Sequence, residues 1–368
     1  MGQTAFLSAR SKGCELGMTD IKSLTVEELT QSLAQLALKP YRAQQIFKWL
    51  HEKSVESFDE MLNIPKNVRV KLSEIYYISV ASIEKKYISC YDDTIKYLYR
   101  LHDGAYVEAV LMNYHFGYSL CVSTQAGCKM GCAFCATGQS GFTRNLAPSE
   151  MLAQIQAAQK DCHIRISNIV LMGMGEPLDN FDNVLRFIRL VTSDNGLNIG
   201  MRHITLSTCG LADKIRALAD KRLQLTLSVS LHAPNDQLRT QIMPVNKKYP
   251  IAALMEACRY YVHKTGRRIS FEYAMIEDFN DTDACAYELV TLLKGMLCHV
   301  NLIPVNTING ASYRKSSPKR QVAFCNILEK NGITATVRRT LGADIGASCG
   351  QLKGKSIEPS QKNNADKM

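Results

Sequence analysis

From about residue 119 onwards, short apolar runs alternate with longer amphipathic stretches, and this repeat organises most of the chain. The short runs predict buried strands, whereas apolar residues spaced three or four apart predict helices. The predicted strands cover residues 120–123, 168–172, 203–207, 224–230, 270–275, 299–305 and 334–338. The predicted helices cover residues 149–160, 181–192, 211–221, 251–264, 282–295 and 319–331.

Strands and helices that alternate in this way predict an α/β fold with a parallel sheet and crossover helices. Six or seven such units are too few for a closed eightfold barrel, so we expect a partial (β/α)6 barrel over residues 119–354. The chemistry of such sheets gathers at the carboxyl ends of the strands. The loop after the first strand should therefore lie at the functional end of the barrel.

The residues before the barrel have a helical pattern up to about residue 78. Thr25 and Glu28 form a capping box, which predicts a helix from there to about Leu38. Pro40 ends this helix, a second one follows, and a third covers residues 68–75. The apolar face predicted for the second helix consists of Tyr41, Phe47 and Leu50.

This helical unit, residues 20–78, carries many basic side chains: Lys39, Arg42, Lys48, Lys53, Lys66, Arg69 and Lys71. A solvated basic face and an RNA-docking surface explain this pattern about equally well. The whole chain has a formal net charge of +10, which points mildly to a polyanionic partner.

Residues 79–118 are expected to form a β-hairpin extension that links the helical unit to the barrel. Asp103-Gly104 lies between two strand-like runs, and this dipeptide is a strong signal for a tight hairpin. Glu108 falls in the second strand, where alternation places it on one face with Tyr106, Val110 and Met112.

Of the 368 residues, 46% are hydrophobic and 21% are charged, as in an ordinary globular protein with a substantial core. No apolar stretch approaches the roughly 18 residues that span a bilayer, and the first residues lack the apolar block of a secretory signal. We therefore expect a cytoplasmic protein without a membrane partner, whose thirteen cysteines are mostly reduced. Residues 1–19 and 355–368 are expected to be disordered.

The most informative motif is the run GCKMGCAFCATG, in which Cys128, Cys132 and Cys135 form a CxxxCxxC triad. An iron–sulfur cubane is ordinarily held by four cysteine thiolates, so three leave one iron open to a small molecule. The alternative is a zinc site, but structural zinc is closed and tetrahedral, with ligand pairs usually spaced CxxC. The triad therefore favours a cluster over zinc.

Small polar residues follow the ends of four further strands. They form the runs GMGEP at 173–177, STCG at 207–210, SLHAPND at 230–236 and PVN at 304–306. Any one run is more readily a cap or a turn than a binding site. Together, above a cluster loop, they indicate a pocket in which glycines allow close approach and Glu176 accepts from an ammonium group.

Two further cysteines are expected at the same end of the barrel. Cys121 lies in the first predicted strand, and Cys349 lies in the glycine-flanked run GASCGQ after the last. Taken singly, a cysteine in a strand is usually a core residue and one in a loop usually has no role. Their shared position makes both of them candidates for chemistry.

Taken together, the motifs CVSTQAGCKMGCAFC, MGMGEPL, RHITLST, SLHAPND, NLIPVN and DIGASCGQL closely resemble the RlmN/Cfr family of radical S-adenosylmethionine (SAM) RNA methyltransferases, over about residues 20–354. The resemblance implies a [4Fe–4S] cluster held by Cys128, Cys132 and Cys135. It implies a SAM pocket lined by Gly175, Glu176, Ser207, Ser230, Leu231, His232 and Asn306. It also implies that Cys349 carries the methyl group, with Cys121 as its resolving partner and Glu108 as a proton acceptor.

The chemistry implied by the resemblance uses two SAM molecules per turnover. Cys349 takes a methyl group from the first, and the second, cleaved at the cluster, gives a 5′-deoxyadenosyl radical that activates this methyl group for addition to adenine. Attack by Cys121 on Cys349 then releases the RNA and leaves a transient disulfide. The implied partners are 23S rRNA, tRNA and an electron donor such as flavodoxin or ferredoxin, and the enzyme is expected to be a monomer.

The two branches of the family methylate different adenine carbons. The run ATG after Cys135 also resembles the C8-methylating branch, and Leu341 and Val305 replace an arginine and a tryptophan of many C2 enzymes. Pro177, the SLHAPND run and Pro304 resemble the C2 branch, so we expect C2 methylation, with C8 methylation as the alternative. Two other classes stay open: a zinc-stabilised RNA-binding protein, and a radical SAM enzyme such as a glycyl-radical activase, which would not need Cys349.

Overall fold

A computed structural model describes residues 18–306 and 313–353 of the chain. The disorder predicted for residues 1–17 and 355–368 concerns segments outside these ranges. Thr19, which the sequence analysis assigned to the amino-terminal extension, is described and pairs with Tyr76 in a short parallel ladder.

The amino-terminal part is a small helical unit with its own apolar core. Its elements are strand β1 (Thr19–Asp20), helices α1 (Val26–Ala34), α2 (Pro40–His51) and α3 (Lys66–Ile75), and strand β2 (Tyr76–Tyr77). The predicted capping box is confirmed, because Thr25 Oγ1 accepts from the Glu28 N–H and the Glu28 carboxylate accepts from the Thr25 N–H. Pro40 occupies the first turn of α2, where its missing N–H has no intrahelical partner to lose.

Two details of the helical prediction are wrong. Helix α1 ends at Ala34 instead of near Leu38, because Ala37 adopts a left-handed φ of 57° and the chain closes into a turn there. Tyr41 does not belong to the buried face of α2, since 49% of the residue is exposed, whereas Phe47 is buried in the core of the unit.

Within the described ranges, ten strands form one continuous sheet. Antiparallel strands β3 (Ser82–Ile88), β4 (Ile95–Arg100) and β5 (Tyr106–Tyr114) precede β6 (Gly117–Cys121). A separate hairpin of β7 (Gln125–Gly127) and β8 (Phe142–Asn145) follows, and the sheet continues with β9 (Ile166–Leu171), β10 (Ile204–Thr208), β11 (Thr226–Ser230), β12 (Ile269–Met275), β13 (Cys298–Pro304) and β14 (Ala335–Val337). The order across the sheet is β14-β13-β12-β11-β10-β9-β6-β5-β4-β3, and pairing is parallel from β14 to β6.

Helices connect the parallel strands as expected. They are α4 (Ala136–Gln139), α5 (Pro148–Cys162), α6 (Phe181–Val191), α7 (Ala212–Asp220), α8 (Asp236–Ile242), α9 (Ile251–Thr265), α10 (Asp283–Leu293) and α11 (Pro318–Lys330). The partial radical SAM barrel and each of its predicted strands and helices are confirmed, with boundary shifts of a few residues. The short elements α4, α8, β7 and β8 were not predicted. None of the helices described is both long enough and apolar enough to cross a bilayer.

The antiparallel extension continues the barrel sheet directly. Asp103-Gly104 joins β4 to β5, as predicted, although the turn is longer than two residues because the Leu101 N–H bonds to the Ala105 carbonyl. Strand β5 then pairs with β6, which places Val110 opposite Cys121. The extension is therefore anchored beside the first barrel strand.

The helical unit packs on the barrel through buried polar contacts. The Lys22 ammonium is buried and donates to the Ser79 carbonyl at 2.7 Å and to Gln156 Oε1 at 2.9 Å, and burial lowers the pKa of Lys22 to about 8. His51 is fully buried at the end of α2 and stacks on Phe47, with ring centroids 4.0 Å apart. Among the described residues, neither ring nitrogen of His51 has a hydrogen-bond partner.

We expect the His51→Phe variant to be more stable than the wild type, and the difference to grow in acid. Burial and the nearby Lys22 charge lower the pKa of His51 to about 3 from its ordinary 6.5, so protons bind only to the unfolded chain as the pH falls between these values. The native histidine therefore loses about 2 kcal/mol of stability by pH 5, which phenylalanine does not. Urea unfolding at pH 5 and pH 8 measures this; an equal difference at both values would contradict it.

Candidate active site

A cavity opens at the carboxyl ends of the parallel strands, and its empty space, together with the open solvent at its mouth, is about 950 Å³. Most of the predicted site residues lie on its wall: Cys128, Cys132, Cys135, Gly175, Glu176, Ser207, Ser230, His232, Asn306 and Cys349. Residues that are up to 221 positions apart in the sequence, Cys128 and Cys349, thus face one space.

The cysteine triad lies on a loop held by short local elements. The loop leaves β7, which pairs with β8 across it, and the Cys128 N–H bonds to the Gly141 carbonyl at 2.8 Å. Cys135 precedes α4, and the Ala133 N–H reaches across to the Ile242 carbonyl at the end of α8. The three thiols are half-buried and face the cavity.

The spacing of the triad suits a cluster better than a single ion. The only compact set of histidine, cysteine and carboxylate ligand atoms within 4.8 Å of one another in the described ranges is His102, Asp103 and Glu150, so at least two of the three sulfur atoms of the triad lie farther apart than 4.8 Å. Ligands around one tetrahedral zinc, with Zn–S bonds of about 2.3 Å, would lie within that distance. Burial raises the pKa of Cys128 to about 12 and raises that of Cys132 further, and bound iron would reverse these shifts.

Glu176 is held rigidly at the rim of the cavity. One carboxylate oxygen accepts from the Cys209 N–H at 2.7 Å and the other from the Leu178 N–H at 2.9 Å. Burial raises the pKa of Glu176, and these two N–H groups oppose that rise. Gly175 cannot be replaced here, because its φ is +103° and a Cβ would lie 2.5 Å from the Gln125 side chain. A buried carboxylate beside a close backbone turn fits an ammonium-bearing ligand such as SAM.

His232 is a neutral histidine on the opposite wall. Its Nδ1 accepts from the Ala274 N–H at 2.9 Å, so the ring proton lies on Nε2. Burial and the positive charge of Arg239 lower the pKa of His232 to about 3. Its ring also meets Phe134 of the cluster loop edge-on, with centroids 4.8 Å apart. His232 therefore offers its Nε2–H as a donor, and its ring forms part of the cavity wall between the loop and β12.

Leu231 is the one predicted SAM-pocket residue that does not line the cavity. Its side chain is fully buried, and its carbonyl accepts from Arg239 Nε at 3.0 Å. Asn306, in contrast, lies on the wall and donates from Nδ2 to the Cys349 carbonyl at 3.1 Å.

Cys349 lies where the large cavity meets a second one of about 490 Å³. Cys121 lines this second cavity, and Cys349 and Arg338 line both. Cys349 is exposed, whereas Cys121 is buried. Burial, with a smaller contribution from Cys349, raises the pKa of Cys121 to about 12, and Arg338 opposes the rise. The structure thus brings the two candidate cysteines to one place.

Glu108 lines neither cavity. It is almost fully buried, lies 3.5 Å from the Lys96 ammonium, and accepts from the Lys353 N–H at 2.6 Å. Glu108 is therefore not part of the wall that Cys121 and Cys349 share.

Three charged residues around the site were missed by the sequence analysis. Glu272 lies in the middle of β12 and accepts from Ser228, Ser270 and Asn301, and Arg338 lies 3.7 Å from it. Arg239 is fully buried in α8 and donates to the carbonyls of Cys209, Ser230 and Leu231 and to Asn246 Oδ1. A charged residue inside an apolar strand or on the apolar face of a helix was the signal that could have found them.

Comparison with known proteins shows the family of the chain. Residues 19–78 match the ribosomal RNA large subunit methyltransferase N-terminal domain, and residues 122–289 match the radical SAM superfamily. A protein of Clostridium tetani named probable dual-specificity RNA methyltransferase RlmN is 50% identical over 345 residues, which cover 94% of this chain and 99% of that protein. The protein of the same name from Alkaliphilus oremlandii is 53% identical over 339 residues, with 92% and 98% coverage.

A solved structure gives the same result for the fold. The crystal structure of a radical SAM methyltransferase from Sphaerobacter thermophilus has a TM-score of 0.88 and 44% sequence identity to this chain. The match covers 92% of this chain and 100% of that one.

We expect the Cys132→Ala variant to lose iron and sulfide while it stays folded, because Cys132 lies outside the main apolar core of the barrel and packs only against a smaller apolar cluster. The matched control is Cys325→Ala on α11, whose side chain lines neither cavity and which should keep its metal content. Metal and sulfide analysis of anaerobically purified protein measures the effect. Zinc without sulfide in the wild type would show that the cluster assignment is wrong.

Proposed function

Because the chain belongs to the RlmN family of radical SAM RNA methyltransferases, we propose that it methylates C2 of an adenine in 23S rRNA and C2 of an adenine in certain tRNAs. The observation that carries the proposal is the junction at Cys349, an exposed thiol that borders both the cavity of the cysteine triad and the cavity of Cys121. A radical SAM enzyme without a methyl-carrying cysteine has no need of such a junction.

The family implies a [4Fe–4S] cluster and SAM as cofactors. Cys128, Cys132 and Cys135 would hold the cluster, and Glu176, Ser207, Ser230, His232 and Asn306 would surround SAM. When bound, the cluster supplies the electron that splits SAM and so generates the radical that removes hydrogen from a methyl group. The residues of the chain bind and orient these groups and exclude water from them.

Cys349 is the proposed methyl carrier. Its sulfur takes the methyl carbon of a first SAM, and the sulfonium carbon–sulfur bond breaks as the neutral thioether leaves. The guanidinium of Arg338 borders both cavities and is held by Glu272, so it offers a fixed positive charge near the thiolate that this step needs. A second SAM is needed to activate the carried methyl group, which makes two per turnover.

Cys121 is the proposed resolving residue. After the carried carbon has added to C2 of adenine, the radical adduct would have to give up one electron, which would return to the cluster that supplied it. Attack of Cys121 on the Cys349 sulfur then forms a disulfide, and the electron pair of the broken carbon–sulfur bond stays on the carbon, which takes up a proton and is released as a methyl group. The ring proton must also leave, and Glu108 is the proposed acceptor. A thiol reductant of the cell would restore both cysteines with two electrons and two protons.

RNA docking is proposed for the basic face of the helical unit. Lys48 and Lys53 are paired with Glu52, and Arg69 is paired with Asp59. Among the described residues, Lys39, Lys66 and Lys71 are exposed and have no ion-pair partner. Unpaired lysines are the ones that can release counterions from phosphates, so they are the best candidates for RNA contacts.

The proposed function predicts a product and a trapped intermediate. Mass spectrometry of RNA from cells that lack the gene should show no C2-methyladenosine, and expression of the wild-type chain should restore it. Cys121→Ala should stop after addition to the base, so that enzyme accumulates covalently bound to RNA and runs as a ribonuclease-sensitive band on a denaturing gel. The band should disappear in Cys121→Ala/Cys349→Ala.

C8-methyladenosine in place of the C2 product would show that the alternative branch is correct. A Cys121→Ala enzyme that is free of RNA and methylates at the normal rate would show that Cys121 has only a packing role.

We expect the triple variant Lys39→Ala/Lys66→Ala/Lys71→Ala to bind an rRNA fragment more weakly and with a shallower salt dependence. The slope should fall by about 1 for each lysine that binds a phosphate in the wild type. The matched control replaces three exposed lysines that are already paired: Lys48→Ala/Lys53→Ala/Lys160→Ala. Fluorescence anisotropy at several salt concentrations measures both. Equal effects of the two triple variants would show that RNA docks elsewhere.

A further inference from the structure

The loop that carries Cys349 is exposed at its tip and tied down on both sides. Cys349 is exposed, but Ala347 and Ser348 before it are buried. Beyond it, the Gly350 carbonyl accepts from the Ala136 N–H at 2.7 Å, and the Leu352 carbonyl accepts from Thr137 Oγ1 at 2.7 Å. Gly350 also lies against the cluster loop, because a Cβ there would be 3.0 Å from the Phe134 carbonyl. The thiol is therefore presented on a fixed segment.

Two more anchors of this loop come from one buried ion pair. Lys96 on β4 donates to the Gly346 carbonyl at 3.2 Å, three residues before Cys349. Glu108 on β5 accepts from the Lys353 N–H at 2.6 Å, four residues after Cys349. The two charges lie 3.5 Å apart, and each side chain is only 2% exposed. The pair therefore holds the segment 346–353 at both ends.

Burial of this ion pair costs free energy unless its two charges also make other hydrogen bonds. Removing two charges from water is costly, and their mutual attraction offsets this cost only when further hydrogen bonds satisfy them. Here those further bonds go to the backbone of the Cys349 loop, and the Lys96 ammonium also faces the Tyr87 ring at 5.1 Å. In some proteins, a buried pair of this kind is retained because it specifies one conformation.

The same extension also holds the start of the loop. The Gly342 N–H donates to Asp92, and Asp344 accepts from Ser89 Oγ and from the Cys90 N–H. The antiparallel strands β3–β5 and their connections thus bind the segment at positions 342, 344, 346 and 353. A barrel without this extension would leave the Cys349 loop without these anchors.

We infer that Lys96 and Glu108 are positioning residues for Cys349, and that their ion pair sets where the thiol lies between the SAM cavity and Cys121. This role rests on the proposed function, since it assumes that Cys349 reacts on both sides. It is separate from proton removal by Glu108, because methyl transfer to Cys349 comes before any contact with the ring proton.

The test measures thiol placement without turnover. Full-length, cluster-loaded protein is treated anaerobically with diamide, which oxidises two neighbouring thiols to a disulfide and is itself reduced to the hydrazine. Peptide mapping gives the rate at which the Cys121–Cys349 disulfide forms. A second readout is the fraction of Cys349 that becomes S-methylated with SAM and reductant, relative to the 5′-deoxyadenosine released.

Lys96→Met and Glu108→Gln should each slow disulfide formation about tenfold, since each leaves one charge buried without its partner. The double variant has neither charge, and its glutamine can still accept from the Lys353 N–H, but it lacks the Lys96 bond to the Gly346 carbonyl. Its rate should therefore stay about threefold below that of the wild type. Full recovery would show that the single variants act only through an uncompensated buried charge, and would overturn the positioning role. The matched control is Lys86→Met on β3 of the same extension, which breaks an ion pair to Asp161 of α5 and should leave the disulfide rate unchanged.

A second pair of variants leaves the buried charges intact in case the single variants do not fold. Lys353→Pro removes the N–H that Glu108 accepts, and Lys353→Ala keeps it. Slower disulfide formation and less S-methylation in the proline variant alone support positioning. Wild-type rates in Lys353→Pro, or in folded single variants, overturn it. A wild type that forms neither product overturns the proposed function instead.

Discussion

The rest of the structure depends on one constraint, which is that β6 and the strands from β9 to β14 each pair in parallel with the next. Parallel strands must all end at the same edge of the sheet, so the segments that follow them converge there whatever their distance along the chain. Every polar run predicted at a strand end contributes to the wall of one cavity for this reason. The crossover helices cover the outer face and bury the apolar side of the sheet, which leaves the strand-end loops free to carry chemistry.

Charged side chains are buried at this edge, and each needs hydrogen bonds or an ion pair. These interactions hold the loops in place. Arg239 binds the carbonyls of Cys209, Ser230 and Leu231, and so ties the ends of β10 and β11 to α8. Glu272 gathers the side chains of three strands inside the barrel and holds Arg338 beside the Cys349 loop. Neutral His232 adds a wall without adding charge. A rigid cavity follows, because each of these groups would be costly to move away from its partners.

The antiparallel extension has a part in the site that its position in the chain does not indicate. Strand β5 pairs with β6 at Cys121, and the charged residues of β4 and β5 reach the segment that carries Cys349. The extension therefore contacts both Cys121 and the segment that carries Cys349. The helical unit, in contrast, packs on α5 and α6 through Lys22 and Glu28 and leaves its unpaired lysines in solvent. The two proposed roles thus fall to different parts of the amino-terminal half: the extension positions the thiol, and the helical unit docks RNA.

By itself, the sequence determined the strand and helix order, the capping box at Thr25, the DG hairpin and the edge at which the site lies, because these follow from local periodicity and from the geometry of parallel sheets. It also located the cysteine triad, whose ligands are neighbours along the chain. Only the tertiary structure decided that Leu231 faces away from the cavity, that Tyr41 is exposed, and that Glu108 is paired with Lys96. Arg239, Glu272 and Arg338 likewise became visible only there. Their partners are backbone and side-chain atoms from distant strands, and no local pattern records which distant groups a buried charge will meet.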